Sequence, residues 1–223
     1  MSTVVGFHGS PGFHEDFAMV ESKLGFKFAS AADSGDGFSD EIAVGYSWGC
    51  ARLVEACVKK GMPKSVLFIS PYFFPEKSAG FIKVKLLRIA FVRNFLLMKK
   101  GSEIVEKFLV KACLPDAVPE RVREMTRRFS RPDILAQSVL EKEDLRIDEP
   151  FKRKFLAIAA SRGTRIYVIA GSEDALAKPV QTEWLGVLST YEQTVVPDAG
   201  HALIWTRSDI IAEKIKQLIR ESG

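Results

Sequence analysis

A short apolar run, a turn bounded by glycines and an amphipathic segment follow one another over residues 41–60, and this order limits the folds open to the chain. Residues 41–44 read E-I-A-V, which is typical of a short buried strand. Residues 45–49 read G-Y-S-W-G, and apolar residues recur at helical spacing over residues 50–60. Glycine on each side lets the backbone turn sharply without a collision of side chains. The pattern predicts a strand, a tight turn that presents Ser47, and a helix.

The rest of the chain alternates strand-like and helical patterns. Short β-rich runs lie at residues 3–7, 26–29, 65–70, 165–170 and 192–196. Helical periodicity lies at residues 14–24, 180–188 and 208–219. Such alternation predicts an α/β fold with a mostly parallel sheet and helices on both of its faces.

Residues 76–157 differ from the segments on either side of them. They contain no convincing strand, and glycine and prolines separate their helical patterns. We therefore predict a helical cap at residues 76–157, inserted into an α/β core formed by residues 1–75 and 158–223. The insertion follows the strand after the Ser47 turn, so the cap should lie over the carboxyl edge of the sheet, where open α/β sheets place their sites.

Ser47 needs a base and an orienting group to act as a nucleophile, because a serine hydroxyl is weakly nucleophilic at neutral pH. His201 follows the last predicted strand, so it should emerge at the same edge as Ser47. Asp174 follows the strand before it and fits the third position. Glu173 and Asp198 are alternatives. The predicted triad is Ser47, Asp174 and His201, in that chain order.

This arrangement resembles the α/β-hydrolase superfamily, and in particular its small, capped serine carboxylesterases. The resemblance rests on the G-Y-S-W-G turn, on the order of the triad, and on residues 8–12, which read H-G-S-P-G after the first strand. It covers the sheet-forming part of the chain and implies the α/β-hydrolase fold. The interval between Ser10 and Ser47 is shorter than in most relatives, so we expect the second helix of that interval to be reduced or absent, with residues 31–40 as a loop.

The resemblance also implies roles for residues around the triad. The backbone N–H groups of Ser10 and Trp48 would form an oxyanion hole. In the superfamily, the residue at the place of His8 braces its turn. Apart from the resemblance, we expect His14, at the start of a helix near the pocket mouth, and Tyr46 to bind the substrate. No metal ion and no organic cofactor would be required.

The charge of the chain is unevenly distributed, although the net charge is only +4. Residues 76–157 carry 19 lysines and arginines against 12 acidic residues. Part of this positive charge is clustered in Arg121, Arg123, Arg127, Arg128 and Arg131. This cluster could be a solvated helix face, or it could attract an anionic partner that carries the acyl group, such as a carrier protein or coenzyme A.

The three cysteines form neither a disulfide framework nor a metal-binding spacing, so we expect buried thiols. Together with the lack of a secretion signal or an apolar span in the sequence, this favours a cytoplasmic protein. We also expect no nucleic-acid partner and no membrane span. The predicted function is a serine hydrolase that cleaves a small carboxylic ester. The alternatives are hydrolysis of a thioester, an amide or a carrier-bound acyl ester, and a catalytically silent binding protein with the same fold.

Overall fold

The structure of the chain is a computed structural model. It describes residues 4–10, 12–30, 42–74, 103, 105–120, 134, 137, 142, 145–178 and 181–222.

One sheet runs through the described part of the chain. Its strands are β1 (Val4–Phe7), β2 (Ala29–Ser30), β3 (Ile42–Tyr46), β4 (Ser65–Ile69), β5 (Arg165–Gly171) and β6 (Tyr191–Val196). The strands are arranged in the order β2-β1-β3-β4-β5-β6, and every neighbouring pair is parallel. The predicted parallel α/β sheet is confirmed, and β3 lies near its centre.

Helices lie between the strands and after the last strand. They are a 3₁₀ turn (His14–Phe17), α1 (Ala18–Leu24), α2 (Gly49–Lys60), α3 (residues 105–113), α4 (Glu149–Arg162), α5 (Leu203–Thr206) and α6 (Ser208–Ser222). Two apolar clusters show which side each helix covers. Helices α1 and α6 contribute to one cluster, and α2 and α4 contribute to the other.

Strand β3 shows why the sheet needs helices on both faces. Ile42 and Val44 point into the first cluster, and Ala43 points into the second. All three side chains are fully buried. Successive side chains of a strand alternate between faces, so a continuous apolar run is stable only where both faces are covered.

Helix α4 has clear signals at both ends. Its N-terminal cap is Asp148, whose carboxylate accepts a hydrogen bond of 3.0 Å from the backbone N–H of Phe151. Gly163 ends the helix in the left-handed conformation, with φ of 62°. The helix packs with α2 in the second cluster and spans residue 157, where the sequence places the end of the cap.

The predicted helix over residues 180–188 is wrong in extent. Within the described residues, that stretch contains only a 3₁₀ turn, Glu183–Leu185, which ends at Gly186. The apolar spacing that suggests a helix instead serves a turn, from which Leu185 and Leu188 reach the second cluster. The predicted loop at residues 31–40, with the shortened helix expected there, and most of the predicted cap lie outside the described residues.

The thiols of Cys50, Cys57 and Cys113 are free and buried, which confirms that prediction. Burial raises the pKa of Cys113 to about 11, with the nearby Asp116 carboxylate acting in the same direction. Among the residues that the structure describes, no helix is both long enough and apolar enough to cross a membrane.

Candidate active site

Ser47 occupies the sharp turn between β3 and α2. Its φ of 53° places it in the left-handed region, which non-glycine residues rarely adopt. Three backbone hydrogen bonds surround the residue: its N–H donates to Ile69, and its carbonyl accepts from Cys50 and Tyr72. A strained conformation of this kind costs about 1–3 kcal/mol and persists only where the surroundings enforce it.

The glycines of the turn are required by close backbone contacts. A Cβ atom on Gly49 would lie 2.0 Å from the carbonyl oxygen of Phe7 in the neighbouring strand β1. A Cβ atom on Gly45 would lie 2.9 Å from the Cα atom of Cys50. Backbone atoms cannot move aside as a flexible side chain can, so both positions exclude larger residues. This is the physical basis of the G-Y-S-W-G pattern.

His201 joins the serine to a carboxylate. Its Nε2 atom lies 2.8 Å from Ser47 Oγ, and its Nδ1 atom lies 2.8 Å from Asp174 Oδ2. The side chains of His201 and Asp174 are each 2% exposed. Asp174 follows β5 and His201 follows β6, so parallel strands bring residues distant in sequence to one edge.

Asp174 is held by a second set of hydrogen bonds. Its Oδ1 atom accepts from the backbone N–H groups of Leu176, at 2.8 Å, and Ala177, at 2.7 Å. Its other oxygen is thereby directed at His201. The alternative carboxylates, Glu173 and Asp198, belong to exposed residues. Of the three candidates, the structure brings Asp174 into contact with the histidine.

The loop that carries His201 rests on the last turn of α3 and on the residue that follows the helix. The backbone N–H of Ala202 donates to the carbonyl of Ala112 at 2.9 Å. A Cβ atom on Gly200 would lie 1.9 Å from the carbonyl oxygen of Leu114. The C-terminal end of α3 therefore supports the histidine loop directly. Sequence reasoning missed this support because the two segments are far apart in the chain and no local pattern links them.

A small cavity of about 10 Å³ opens beside the serine hydroxyl. Its walls come from the turn after β1, from the Ser47 turn, from the His201 loop, and from α3 and α5. The lining residues are Gly9, Ser10, Tyr46, Ser47, Val105, Phe108, Leu109, His201 and Trp205. A cavity of this volume is close to the smallest that can hold one water molecule. The three side chains from α3 belong to the predicted cap and were not singled out from the sequence.

Ser10 and Trp48, the predicted oxyanion donors, both lie close to Ser47. Ser10 lines the cavity, and Trp48 precedes the first residue of α2 and directly follows Ser47. The indole ring of Trp48 is fully buried in the second apolar cluster. His8 Nδ1 lies 2.8 Å from the carbonyl oxygen of Gly9, within the same turn. The roles of the two N–H groups remain predictions.

Tyr46 and His14 lie in different places. Tyr46 lines the cavity, and its ring centroid lies 5.8 Å from that of His201. Burial, reinforced by the Asp16 carboxylate, raises the pKa of Tyr46 well above its usual value, so its phenol stays neutral. His14 instead contacts the carbonyl oxygen of Phe28, beside β2, at 3.1 Å. The structure brings Tyr46, but not His14, to the cavity beside Ser47, and a substrate-binding role for either remains a prediction.

Within the described ranges, no group of three histidine, cysteine, aspartate or glutamate side chains is arranged to hold a metal ion.

Ser47, His201 and Asp174 form a hydrogen-bonded chain of nucleophile, base and carboxylate beside a mostly apolar cavity. Such a chain can transfer a proton away from a serine hydroxyl as the oxygen attacks an electrophile.

Solved structures of other proteins share the fold described above, a parallel sheet with helices on both faces. The chain is similar to a thermophilic esterase from Thermogutta terrifontis, with a TM-score of 0.68 and 13% identity over 100% of this chain and 90% of the esterase. It is similar to the esterase EaEST from Exiguobacterium antarcticum, with a TM-score of 0.72 and 12% identity over 99% and 92% of the two chains.

A third similar structure has a different activity in its name. It is the haloalkane dehalogenase DbeA from Bradyrhizobium elkani, with a TM-score of 0.73 and 15% identity over 99% of this chain and 90% of the dehalogenase. No protein-family model and no curated protein matches the sequence. At these identities the likeness establishes the fold, and the reaction has to be argued from the site.

Proposed function

Because the chain has the α/β-hydrolase fold, we propose that it is a serine hydrolase that cleaves carboxylic esters. The observation that carries the proposal is the pair of 2.8 Å contacts that link Ser47 Oγ to His201 and His201 to Asp174. The similar esterases add support at the level of the fold alone.

In the first half of the proposed reaction, Ser47 Oγ attacks the ester carbonyl carbon. His201 Nε2 accepts the hydroxyl proton as the new C–O bond forms. The electron pair of the carbonyl moves to its oxygen, and when that pair returns, the bond to the alcohol breaks. His201 then gives its proton to the departing alkoxide, and the acyl group remains on the serine.

Asp174 sets the orientation and tautomer of the base. Its carboxylate accepts the Nδ1 proton of His201, so the lone pair of Nε2 faces Ser47 Oγ. When His201 becomes an imidazolium, the buried carboxylate compensates its positive charge. The two backbone donors to Asp174 Oδ1 keep the carboxylate from turning away.

The oxyanion of the tetrahedral intermediate would be bound by the backbone N–H groups of Ser10 and Trp48. Trp48 lies at the N-terminus of α2, where free N–H groups and the helix dipole favour negative charge. Loss of a single donor of this kind lowers the rate by about 10²–10³-fold. In the second half of the reaction, His201 activates a water molecule, which hydrolyses the acyl-enzyme.

A serine nucleophile favours acyl transfer over the removal of halide from a haloalkane, the reaction in the name of one of the similar structures. Displacement of a halide by Ser47 would leave an alkyl ether, which has no carbonyl for water to attack. Acyl transfer leaves an ester, which the same base can hydrolyse. The carrier-linked and coenzyme A-linked substrates remain predictions from the sequence, because the arginine cluster lies outside the described residues.

The proposal is tested by labelling the protein with a fluorophosphonate probe and identifying the modified peptide by mass spectrometry. We expect the probe on Ser47, hydrolysis of a short p-nitrophenyl ester by the wild type, and loss of both in Ser47→Ala. A Ser47→Ala variant that retains wild-type turnover, or a wild type that hydrolyses no ester, would refute it.

A further inference from the structure

Lys142 reaches across the fold to the turn that carries the proposed oxyanion donor Ser10. Its Nζ atom donates a hydrogen bond of 2.7 Å to the carbonyl oxygen of Ser10, a residue 132 positions away. Lys142 lies in the insertion between β4 and α4, which the sequence assigns to the cap. The contact is partly buried. It therefore links the insertion to the catalytic edge of the sheet at a defined atom.

The Ser10 N–H is flanked by two carbonyl groups, and each has a nitrogen partner. The carbonyl of Gly9 shares a planar peptide unit with that N–H, and His8 Nδ1 lies 2.8 Å from its oxygen. The carbonyl of Ser10 belongs to the next peptide unit and accepts from Lys142. Because the peptide units are rigid, these two contacts restrict the rotations that aim the N–H.

The backbone of this turn needs to be held in place, because it contains Gly9 and glycine has more backbone freedom than any other residue type. Gly9 also packs closely against the site: a Cβ atom there would lie 3.3 Å from the ring of Tyr46 and 3.4 Å from Ser47 Cβ. A side chain at this position would supply rigidity only if the Tyr46 ring moved aside by a few tenths of an ångström. A lysine from another part of the fold supplies it without filling the cavity.

The charge of Lys142 acts in the same direction as its hydrogen bond. Within one residue, the backbone N and O atoms are about 3–3.5 Å apart, as bond lengths dictate. The ammonium group thus lies within about 6 Å of the proposed oxyanion donor. The substrate oxygen would lie one hydrogen-bond length, about 3 Å, beyond that donor. A positive charge within about 9 Å of that oxygen still favours the negative charge that develops on it.

We infer that Lys142 is a positioning residue, which holds the oxyanion donor Ser10 in its productive orientation. The inference rests on the proposed function and extends it, since it makes the rate of ester hydrolysis depend on a residue of the insertion. Lys142 does not touch the reacting atoms in this scheme. It should therefore change the rate of the chemical step and leave substrate binding nearly unchanged.

The test compares Lys142→Met, Lys142→Gln and Lys142→Arg, with Lys107→Met as the matched control. Lys107 also belongs to the insertion, but it pairs with Glu103 on an exposed face. The assay measures kcat and KM for a short p-nitrophenyl ester, together with the melting temperature. Met and Gln at position 142 should each lower kcat about tenfold, which is less than the loss of a whole oxyanion donor. KM should stay within about twofold.

Lys142→Arg should retain most of the activity, since it preserves both the charge and a donor, and Lys107→Met should behave as the wild type. The inference is overturned if the wild type is active, Ser47→Ala is inactive, and the Met and Gln variants at position 142 keep the wild-type kcat. It is also overturned if Lys107→Met loses as much activity, since general charge loss would then be the cause. A wild type without esterase activity would remove the proposed function and this inference together.

Discussion

Replacement of Asp174 by asparagine tests the triad most directly, because the hydrogen bonds around this residue determine the orientation of the asparagine side-chain amide. Asp174 Oδ1 accepts from the backbone N–H groups of Leu176 and Ala177, and Oδ2 contacts His201 Nδ1. An asparagine has one oxygen and one NH₂ group for these two places. If the oxygen faces the backbone donors, the NH₂ group faces His201.

The opposite orientation is unfavourable. It would turn the NH₂ group towards two backbone N–H donors and lose both hydrogen bonds, at a cost of about 3 kcal/mol or more. That difference leaves roughly one molecule in a hundred in the flipped orientation. In the favoured orientation, His201 Nδ1 has to accept a hydrogen bond, so the ring proton moves to Nε2 and faces Ser47 Oγ. The imidazole then cannot accept the serine proton.

We therefore expect Asp174→Asn to lower kcat for a p-nitrophenyl ester by about 10³–10⁴-fold, as a tautomer error in a triad of this kind does. Glu173→Gln and Asp198→Asn are the matched controls, because both remove a carboxylate from the same edge of the sheet without a contact to His201. The φ of 47° at residue 198 also suits asparagine. An Asp174→Asn variant within tenfold of the wild type, or a severe loss in either control, would refute the assignment.

Two further perturbations examine the base and its support. His201→Ala should lower the rate of acylation, measured before steady state, by about 10⁴-fold or more, because it removes the group that contacts Ser47 Oγ and accepts its proton; a variant within tenfold of the wild type would contradict a histidine base. Gly200→Ala should lower both stability and kcat, since its Cβ atom would lie 1.9 Å from the carbonyl oxygen of Leu114 and the cost of overpacking is about 1–3 kcal/mol. Gly186→Ala is the control, because its Cβ atom would approach Glu183 O only to 3.3 Å at a φ of −64°. Equal melting temperatures for the two glycine variants would show that the histidine loop does not depend on this contact.

Local patterns in the sequence predicted the strands, most of the helices and the turn that presents Ser47. These features depend on residues close together in the chain: the continuous apolar run of β3, the helical spacing of α2, and glycine at both ends of the turn. The mostly parallel direction of the strands also followed from the sequence, because alternating strands and helices leave few arrangements that bury both faces of a sheet. The helix expected over residues 180–188 was too long, since its apolar spacing serves packing from a turn.

The choice of the carboxylate required the tertiary structure. Glu173, Asp174 and Asp198 all follow strands that end at one edge, so the sequence offered three candidates. The backbone turn after β5 distinguishes them, because it supplies two N–H donors to one oxygen of Asp174 and leaves the other facing His201. The sequence does not reveal this orientation, since it depends on dihedral angles and not on the identity of any single residue.

Contacts between distant segments were decided by the tertiary structure alone. Three such contacts join residues about 60 to 130 positions apart. They are the carbonyl of Leu114 packed against Gly200, the α3 side chains that line the cavity beside Ser47, and the hydrogen bond from Lys142 to the carbonyl of Ser10. Periodicity and motifs report what neighbouring residues do, whereas these contacts arise when the insertion folds back onto the sheet edge. The sequence by itself therefore determined the sheet and the candidate nucleophile, and tertiary packing determined which groups hold the candidate base and oxyanion donor in place.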